Sequence, residues 1–308
     1  MKLIKPSYEI LEQGFKEQDI YKQIEKVGRT CYKSEDKITN ESAKPFVDRM
    51  ISSKHYAMLE HGTVYLFCPT EEYVDSNGDV QYYNPLEKYQ DNNYSALADS
   101  DEGMYVTTNL RVLVENNWLD DLKYLCEPTE YHEKRITVKF ICDRGVSHEF
   151  VRHRVFSFAQ ESTRYCNYSK DKFGNELTFI IPVWLVDLKE GNYIVHGNDI
   201  YRDNEFELHP KNTCEESFCF ASSLFMFEDL YKTFIGYGWK AQEARAILPN
   251  ALKTELVMTG FVNDWKHFFD LRAYCITGKP HPQASELAVP LLNEFIKKGY
   301  LHGNERTN

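Results

Sequence analysis

Apolar residues along the chain recur at two spacings, and each spacing predicts one kind of secondary structure. A spacing of three to five residues marks helices, as at Phe15, Ile20, Ile24 and Val27 in the first of them. Ser147 has the side chain of a helix N-cap and is predicted to open a helix over residues 147–152. The other predicted helices cover residues 16–33, 39–53, 110–119, 215–235, 263–273 and 283–298, and a further one carries Arg245 and stops at Pro249.

Short runs rich in β-branched and aromatic residues predict strands between these helices. The predicted strands cover residues 63–68, 105–108, 136–142, 177–181 and 252–258. Two longer stretches show neither spacing. Residues 69–104 are polar, carry the turn sequence Asp75-Ser76-Asn77-Gly78-Asp79 and are predicted to form a loop-rich insertion. Residues 183–212 are predicted to be irregular.

The order of these elements indicates the fold class. Helices and strands are mixed without regular β-α alternation, which favours an α+β fold with an antiparallel or mixed sheet and a helical layer. The sequence contains neither a Gly-x-Gly-x-x-Gly motif nor a Walker-type loop, so a Rossmann or P-loop site for a nucleotide is not supported. We predict a single domain over residues 1–308 that includes the insertion at 69–104.

The composition is typical of a folded protein outside the membrane. Hydrophobic residues make up 42% of the chain and aromatic residues 14%, which excludes extensive disorder. No apolar run approaches the roughly 18 residues of a membrane span, and the first residues lack the apolar core of a signal peptide. These features predict a cytoplasmic protein, in a bacterial cell or, if the protein is viral, in an infected host cell. The net charge of −11 argues against general nucleic-acid binding.

The cysteines are predicted to be reduced thiols. The chain has eight, none of them in a Cys-x-x-Cys pair, so a zinc site is not predicted and no metal is expected. A nucleophilic cysteine is the less favoured alternative. Cys166 lies beside an arginine-rich segment, where neighbouring cations are expected to lower its pKa.

That segment concentrates cations in an otherwise acidic protein. It reads Arg152-His153-Arg154-Val155-Phe156-Ser157-Phe158-Ala159-Gln160-Glu161-Ser162-Thr163-Arg164-Tyr165. Arginine presents a planar fork of donors that suits phosphate, so the segment predicts a site for a polyanionic ligand. A solvated helix face with surface ion pairs is the alternative interpretation. Glu149 precedes Arg152 by three residues and His153 by four, so the three can share one helix face.

The spacing of the segment resembles the signature of the flavin-dependent thymidylate synthases, in which Arg-His-Arg is followed after seven residues by Ser-x-Arg. Two other regions resemble blocks of the same family, and all blocks occur in the family's order. Together with the connecting elements, the resemblance covers roughly residues 20–68 and 105–295. The two other regions are His55-Tyr56-Ala57-Met58-Leu59-Glu60-His61, and Ala244-Arg245-Ala246-Ile247-Leu248-Pro249-Asn250 with Phe268-Phe269-Asp270-Leu271-Arg272.

The resemblance implies an activity and an assembly. Members of the family methylate dUMP to dTMP with reduced FAD, 5,10-methylenetetrahydrofolate and NADPH. The expected fold has a helical layer on a small sheet, and the expected assembly is a homotetramer with flavin between subunits. The expected partner is dUMP, with no nucleic acid and no membrane. A non-catalytic nucleotide-binding or RNA-binding protein is the alternative, although the acidic charge and the lack of a ribonucleoprotein motif count against RNA.

The resemblance also implies roles for residues at matching positions. Arg272 is the expected catalytic residue, because a cation at the uracil edge stabilises charge that spreads from N3 and the carbonyl oxygens. The implied dUMP-binding residues are Glu149, Arg152, Gln160, Ser162, Thr163, Arg164, Arg245 and Arg272. The implied FAD-binding residues are Arg152, His153, Arg154, Gln160, Asn263 and His267.

Two positions depart from the family pattern, and one allows two interpretations. Ala57 stands where Thr or Ser is common, and Phe261 stands where Asn is usual, with Asn263 expected to compensate from two residues on. Ser162 has the side chain of a nucleophile. No Ser-His-Asp order accompanies it, which favours a hydroxyl that donates to phosphate.

Overall fold

The structure is a computed structural model that describes residues 1–209 and 215–302. Its helices are α1 (Glu17–Tyr32), α2 (Ala43–Ser52), α3 (Leu110–Glu115), α4 (Arg144–Phe150), α5 (Glu215–Gly236), α6 (Ala241–Ala244), α7 (Val262–Arg272) and α8 (Pro282–Lys297). Its strands are β1 (Lys2–Ile4), β2 (Ser7–Leu11), β3 (Thr63–Pro69), β4 (Glu71–Val74), β5 (Val80–Tyr83), β6 (Ala96–Ser100), β7 (Gly103–Asn109), β8 (Arg135–Asp143), β9 (Ser157–Gln160), β10 (Thr178–Ile180), β11 (Gly191–His196), β12 (Asp199–Arg202), β13 (Glu205–Leu208) and β14 (Lys253–Phe261). The α+β prediction is confirmed.

A four-stranded antiparallel sheet lies at the centre, in the order β2-β8-β14-β9. Strands β8 and β14 are nine residues long and pair along their whole length, from Arg135 with Phe261 to Asp143 with Lys253. Their β-branched residues favour the extended backbone. The arginine-rich segment connects α4 with β9 and continues past it, so this sheet positions much of the predicted site.

Alternate residues of the central sheet face two hydrophobic cores. Leu256 and Met258 point towards α7 and α8, where they belong to the same buried cluster as Trp265. On the opposite face, Val257 belongs to the cluster that contains Ile24 of α1. Strand β14 is therefore covered on both sides, and a charged residue within it needs a partner in the interior.

The segment predicted as a loop-rich insertion contains three strands, so that prediction is corrected in part. Strands β4 and β5 form a hairpin around the predicted turn, where Asp75 Oδ1 accepts from the backbone N of Asn77 at 2.9 Å and of Asp79 at 3.0 Å. Gly78 adopts a φ of +88°, which a glycine accommodates without strain. Strand β6 extends the sheet β3-β7-β6. Every residue of β4 and β5 is exposed, so apolar alternation could not mark them.

The stretch predicted to be irregular contains β11, β12 and β13, and this prediction is wrong for residues 191–208. The strands complete a sheet in the order β10-β1-β11-β12-β13. Strand β1 at the start of the chain pairs with β10 in parallel and with β11 antiparallel. Strands β11, β12 and β13 are successive antiparallel neighbours, but β11 and β12 each bury a single residue, Tyr193 and Ile200, so apolar alternation does not mark them. Residues 210–212 lie outside the described residues.

Helix α4 begins at Arg144, and its N-cap is Asp143 rather than Ser147. The Asp143 carboxylate accepts from the backbone N of Val146 at 2.8 Å and from Gln283 Nε2 at 2.9 Å. Ser147 lies inside the helix, where its hydroxyl donates to the Arg144 carbonyl at 2.9 Å. Aspartate caps helices as well as serine does, so the helix begins after Asp143, the first of the two capping residues in the chain. The helix predicted to carry Arg245 ends at Ala244, and Arg245 begins a 3-10 turn over Arg245–Ile247; the remaining predicted helices and strands are found close to their predicted positions.

Candidate active site

The C-terminal end of α7 lies against the end of α4 and brings three of the predicted residues together. Arg272 Nη1 donates to Glu149 Oε2 at 2.6 Å, and Nη2 donates to the Glu149 carbonyl at 3.2 Å. Arg272 Nε donates to His153 Nε2 at 3.2 Å. The Arg272 side chain is 17% exposed and that of Glu149 is 31% exposed, so a ligand can reach both. Two separate sequence blocks therefore form one cluster.

His153 is the neutral member of this cluster. Burial, the Arg272 guanidinium and His267 together lower the pKa of His153 to about 4. A neutral imidazole accepts a hydrogen bond at its unprotonated nitrogen, as the contact from Arg272 requires. Glu149 and His153 thus fix the plane of the guanidinium, and of the two only Glu149 is charged.

Gln160 joins the end of β9 to α4 and β14. Its Nε2 donates to Ser147 Oγ at 2.8 Å and to Thr254 Oγ1 at 3.2 Å. Ser147 of α4 therefore contacts Gln160, and Glu149 of the same helix contacts Arg272. Of the predicted residues, Glu149 is thus part of this short helix, and Gln160 and Arg272 are in contact with it.

A second cluster of predicted residues forms where the loop after β9 meets the turn that follows α6. Arg245 Nη1 donates to Thr163 Oγ1 at 3.4 Å. Arg164 Nε donates to Gln242 Oε1 at 3.3 Å, and its backbone N donates to Ser162 Oγ at 3.3 Å. Both arginines are exposed. Two guanidinium groups beside two hydroxyls are suited to a phosphate monoester.

The side chains of Arg152 and Arg154 are exposed, and neither guanidinium makes a hydrogen bond or ion pair with any of the described residues. Arg154 lines a cavity of about 430 Å³ whose wall also includes Phe261. Because neither guanidinium has a carboxylate partner in the part of the chain that the structure describes, both are available to an anionic ligand.

The two remaining predicted flavin residues lie on α7. His267 is exposed, with its ring centroid 6.2 Å from that of His153. Asn263 is exposed at the opposite end of the helix from Arg272, and its backbone N donates to Glu133 Oε1 at 3.5 Å. At about 1.5 Å per residue, α7 separates Asn263 from the Arg272 cluster by more than one turn.

A buried ionic cluster, which the sequence reasoning missed, lies on the α1 face of the central sheet. Glu255 Oε1 lies 2.6 Å from Lys253 Nζ and 2.8 Å from Lys33 Nζ, and its Oε2 lies 2.5 Å from Lys139 Nζ. Lys253 Nζ is also 2.8 Å from Glu161 Oε2, so the cluster anchors the residue between Gln160 and Ser162. Burial opposes the charge of Glu255, but Lys253, Lys139 and Lys33 hold its pKa below the ordinary value. Charged residues within a strand otherwise rich in apolar residues were the available signal.

The expectation for Cys166 is corrected. The thiol is buried, and burial followed by the neighbouring Glu161 raises its pKa to about 12, more than Lys33 and Lys253 lower it. The cations that lower the pKa are lysines from outside the arginine-rich segment, and desolvation of the thiolate outweighs them. The seven cysteines within the described residues are free thiols, and Cys214 lies outside them.

Within residues 1–209 and 215–302, no group of three or more His, Cys, Asp or Glu side chains is arranged to hold a metal ion. None of the helices in the same residues combines the length and the apolar character needed to cross a membrane.

Comparison with known proteins identifies the family. The sequence profile of the family described as thymidylate synthase complementing protein, Thy1, matches residues 126–298, more than half of the chain. The chain belongs to the Thy1 family. The Thy1 match contains the arginine-rich segment, Arg245 and Arg272, and it leaves α1–α3 and β1–β7 outside.

Curated relatives carry the name flavin-dependent thymidylate synthase. The chain is 30% identical to the protein of Pyrococcus furiosus over 157 residues, which is 51% of this chain and 52% of the relative. It is 30% identical to the protein of Mycobacterium tuberculosis over 131 residues, which is 42% of this chain and 46% of the relative. The chain thus spans about half the length of the curated relatives it matches.

A comparison of structures finds a UMP/dUMP methylase, PolB from Streptomyces cacaoi, crystallised with 5-Br dUMP. The TM-score is 0.42 at 13% sequence identity, and the match covers 96% of this chain and 93% of the methylase.

Proposed function

We propose that this Thy1 protein is a flavin-dependent thymidylate synthase. It would convert dUMP to dTMP, with 5,10-methylenetetrahydrofolate as carbon donor and NADPH-reduced FAD as hydride carrier. The observation that carries the proposal is the contact of Arg272 with Glu149 and His153, because it joins the arginine-rich block to the C-terminal block. The names of the curated relatives support it.

Arg272 is the proposed catalytic residue. Methylation at C5 of uracil develops negative charge on N3 and the carbonyl oxygens, and a fixed cation stabilises that charge. Glu149 and His153 already hold the guanidinium in one orientation, so little reorganisation is needed when substrate arrives. Glu149, in α4, and Arg152, just after α4, would also contact dUMP.

Ser162, Thr163, Arg164 and Arg245 are proposed to bind the dUMP phosphate. The contact of Arg245 with Thr163 brings the turn after α6 against the loop that carries the other three donors. Gln160 would face both ligands, since its amide links the loop to α4 and β14.

The unpaired arginines fit an anionic dinucleotide such as FAD. Arg154 lines the 430 Å³ cavity, and neither it nor Arg152 has a carboxylate partner within the described residues. Bound FAD supplies the hydride, which no side chain can donate. The residues proposed to hold it are Arg152, His153, Arg154, Gln160, Asn263 and His267.

Purified protein is expected to take up FAD and to oxidise NADPH faster when dUMP is present. Flavin absorbance measures the first property, and the fall in NADPH absorbance measures the second. With methylenetetrahydrofolate added, dTMP should appear on chromatography. A folded protein that takes up no FAD on titration would contradict the proposal. Nucleotide binding without FAD or turnover would indicate a non-catalytic binding protein instead.

Replacement of Arg164 or Arg245 by Ala is expected to weaken dUMP binding by about 1.5–3 kcal/mol, the range for a hydrogen bond to a charged group. FAD affinity should change much less, because neither residue is proposed to contact the flavin. Calorimetric titration of each variant with both ligands measures the two effects. An equal loss of both ligands would contradict the assignment to phosphate.

Ser162→Ala is expected to cost about 1–2 kcal/mol in dUMP binding and to retain dTMP formation at saturating dUMP. The Ser162 hydroxyl accepts from the Arg164 backbone N, and no base that could activate it contacts it among the described residues. Ser162→Cys should behave similarly, without a trapped nucleotide by mass spectrometry. A nucleotide adduct at residue 162, or lost turnover with both ligands still bound, would favour the nucleophile.

We also propose that the protein acts in the cytoplasm as a homotetramer with flavin between subunits. The exposure of Arg152 and Arg154 supports this arrangement, because cations on the surface of one subunit can reach a ligand held by another. Light scattering should give four times the chain mass of 36.2 kDa. A mass equal to that of one chain would contradict it.

A further inference from the structure

The 430 Å³ cavity beside Arg154 is walled on one side by residues outside the Thy1 match. Asn93 and Tyr94 precede β6 in the segment first described as an insertion, and Asn109 and Arg111 lie at the junction of β7 with α3. The other side contains residues of the match, among them Phe261. This chain therefore builds half of the cavity from structure that the family profile does not cover.

Arg135, at the start of β8, lines the cavity and has an unused donor edge. The residue is 8% exposed, and its Nη1 donates to the Glu60 carbonyl at 3.1 Å and to Thr63 Oγ1 at 3.4 Å. Its buried Nε has no hydrogen-bond partner, and among the described residues Nη2 makes no hydrogen bond either. No carboxylate oxygen of those residues lies within 4.0 Å of this guanidinium. Nη2 is not enclosed, so an oxyanion in the cavity can accept a charge-assisted hydrogen bond from it.

Two of the three carboxylates in the cavity wall are ion-paired, and the third accepts a backbone hydrogen bond at one oxygen. Arg111 forms ion pairs with both Glu60 and Glu115. Asp264 Oδ2 accepts from the backbone N of Phe261 at 3.0 Å. The Arg135 guanidinium has the Phe261 ring 5.5 Å from its Cζ and the negative charges of Glu60 and Asp264 nearby, but Nη2 has no hydrogen-bond acceptor among the described residues.

We propose that Arg135 forms an oxyanion subsite in this cavity, where a phosphate or carboxylate group of a bound cofactor accepts from Nη2, the guanidinium nitrogen that is neither hydrogen-bonded nor enclosed. Tyr94 and Asn93 form the adjoining wall of the site. The inference rests on the proposed function for the choice of ligands. Phosphate groups of FAD or NADPH and the glutamate carboxylates of the folate share the required chemistry, and the binding measurements distinguish them.

The main test is Arg135→Lys, which keeps a cation but removes the fork. Its matched control is Arg29→Lys, another largely buried arginine, 12% exposed and paired with Glu25 away from the cavity. Dissociation constants are measured for FAD, NADPH, tetrahydrofolate and dUMP. We expect at least a tenfold loss for one anionic cofactor in Arg135→Lys, with dUMP changed less than twofold and the control unchanged.

Truncated ligands identify the anionic group. If FAD is weakened and riboflavin is not, the subsite binds a phosphate of the flavin dinucleotide. If tetrahydrofolate is weakened and tetrahydropteroate is not, it binds a glutamate carboxylate. If NADPH alone is weakened, it binds a phosphate of the nicotinamide dinucleotide. A folded Arg135→Lys protein whose constants all lie within twofold of wild type would overturn the subsite.

A second pair of variants keeps the test decisive if Arg135→Lys does not fold. Tyr94 and Tyr82 are each 69% exposed, but only Tyr94 lines the cavity. Tyr94→Ala should weaken the same cofactor at least threefold, and Tyr82→Ala should not. Equal affinities in the two variants would then overturn the proposal.

Failure of the proposed function gives a different result. If wild-type protein takes up none of the three cofactors, that function is wrong, and inorganic diphosphate becomes the probe of the subsite. Diphosphate should then raise the melting temperature of wild type more than that of Arg135→Lys, or of Tyr94→Ala if the first variant does not fold. An equal rise, or none in wild type, would overturn the subsite by itself.

Discussion

Arg272→Ala is expected to lower the rate of dTMP formation about 10²- to 10³-fold, while the protein remains folded. The guanidinium is the proposed cation at the uracil edge, and the loss of one preorganised donor of this kind has an effect of that size. Glu149 is 31% exposed, so water can solvate its carboxylate in the variant and little stability is lost. Turnover at saturating dUMP and the melting temperature measure the two effects separately.

Two control variants test whether the loss of turnover is specific to the Arg272 guanidinium. Arg272→Lys keeps the charge but cannot contact Glu149 and His153 together, so intermediate turnover is expected. Arg202→Ala removes an arginine paired with Glu207 in the sheet of β11–β13 and should leave turnover unchanged. Turnover of Arg272→Ala within threefold of wild type would exclude the catalytic role.

Glu255→Ala is expected to lower the free energy of unfolding by about 3–5 kcal/mol, the cost of removing one partner from a buried ion pair. Lys33, Lys139 and Lys253 would then lie together without the carboxylate between them. Denaturant titration measures the loss. Asp48→Ala, which breaks an exposed pair with Lys44, is the matched control and should change stability by less than about 1 kcal/mol. Equal effects in the two variants would contradict the prediction.

The Glu255 carboxylate also makes the free energy of unfolding depend on pH. The pKa of Glu255 in the folded protein is held below its ordinary value of 4.5, so its stabilising contribution is fully present above that pH. The contribution is lost as the pH falls from there towards the folded pKa. The difference in stability between wild type and Glu255→Gln should therefore narrow below pH 4.5. A difference that stays constant down to pH 3 would show that the charge is not responsible.

Much of the framework could be predicted because its signals are local. Helices α1, α7 and α8 carry apolar residues at helical spacing, and β8 and β14 are rich in β-branched residues. The grouping of Arg272 with Glu149 came from motif resemblance, since residues 123 positions apart carry no local sign of contact. The hydrogen bonds that join them were not predictable from spacing.

The missed features depend on tertiary contacts. Strand β11 pairs with β1 as well as with β12, and the partners of Glu255 are Lys33 just after α1, Lys139 of β8 and Lys253 of β14. The pKa of Cys166 depends on how deeply the fold buries the thiol, which its arginine-rich sequence neighbourhood does not reveal. β1 is remote in sequence from β11, and Lys33 and Lys139 are remote from Glu255, so these contacts leave no local signal.

The order of strands in the central sheet determines when the protein can fold during synthesis. Strand β8 lies between β2, which the ribosome makes early, and β14, which it makes more than a hundred residues later. Until β14 has left the exit tunnel, β8 and β9 have no shared partner, and their apolar side chains remain accessible to chaperones. Such non-local pairing slows folding and prolongs exposure to aggregation. Nascent chains stalled before residue 253 should therefore lack the protease resistance of the released protein.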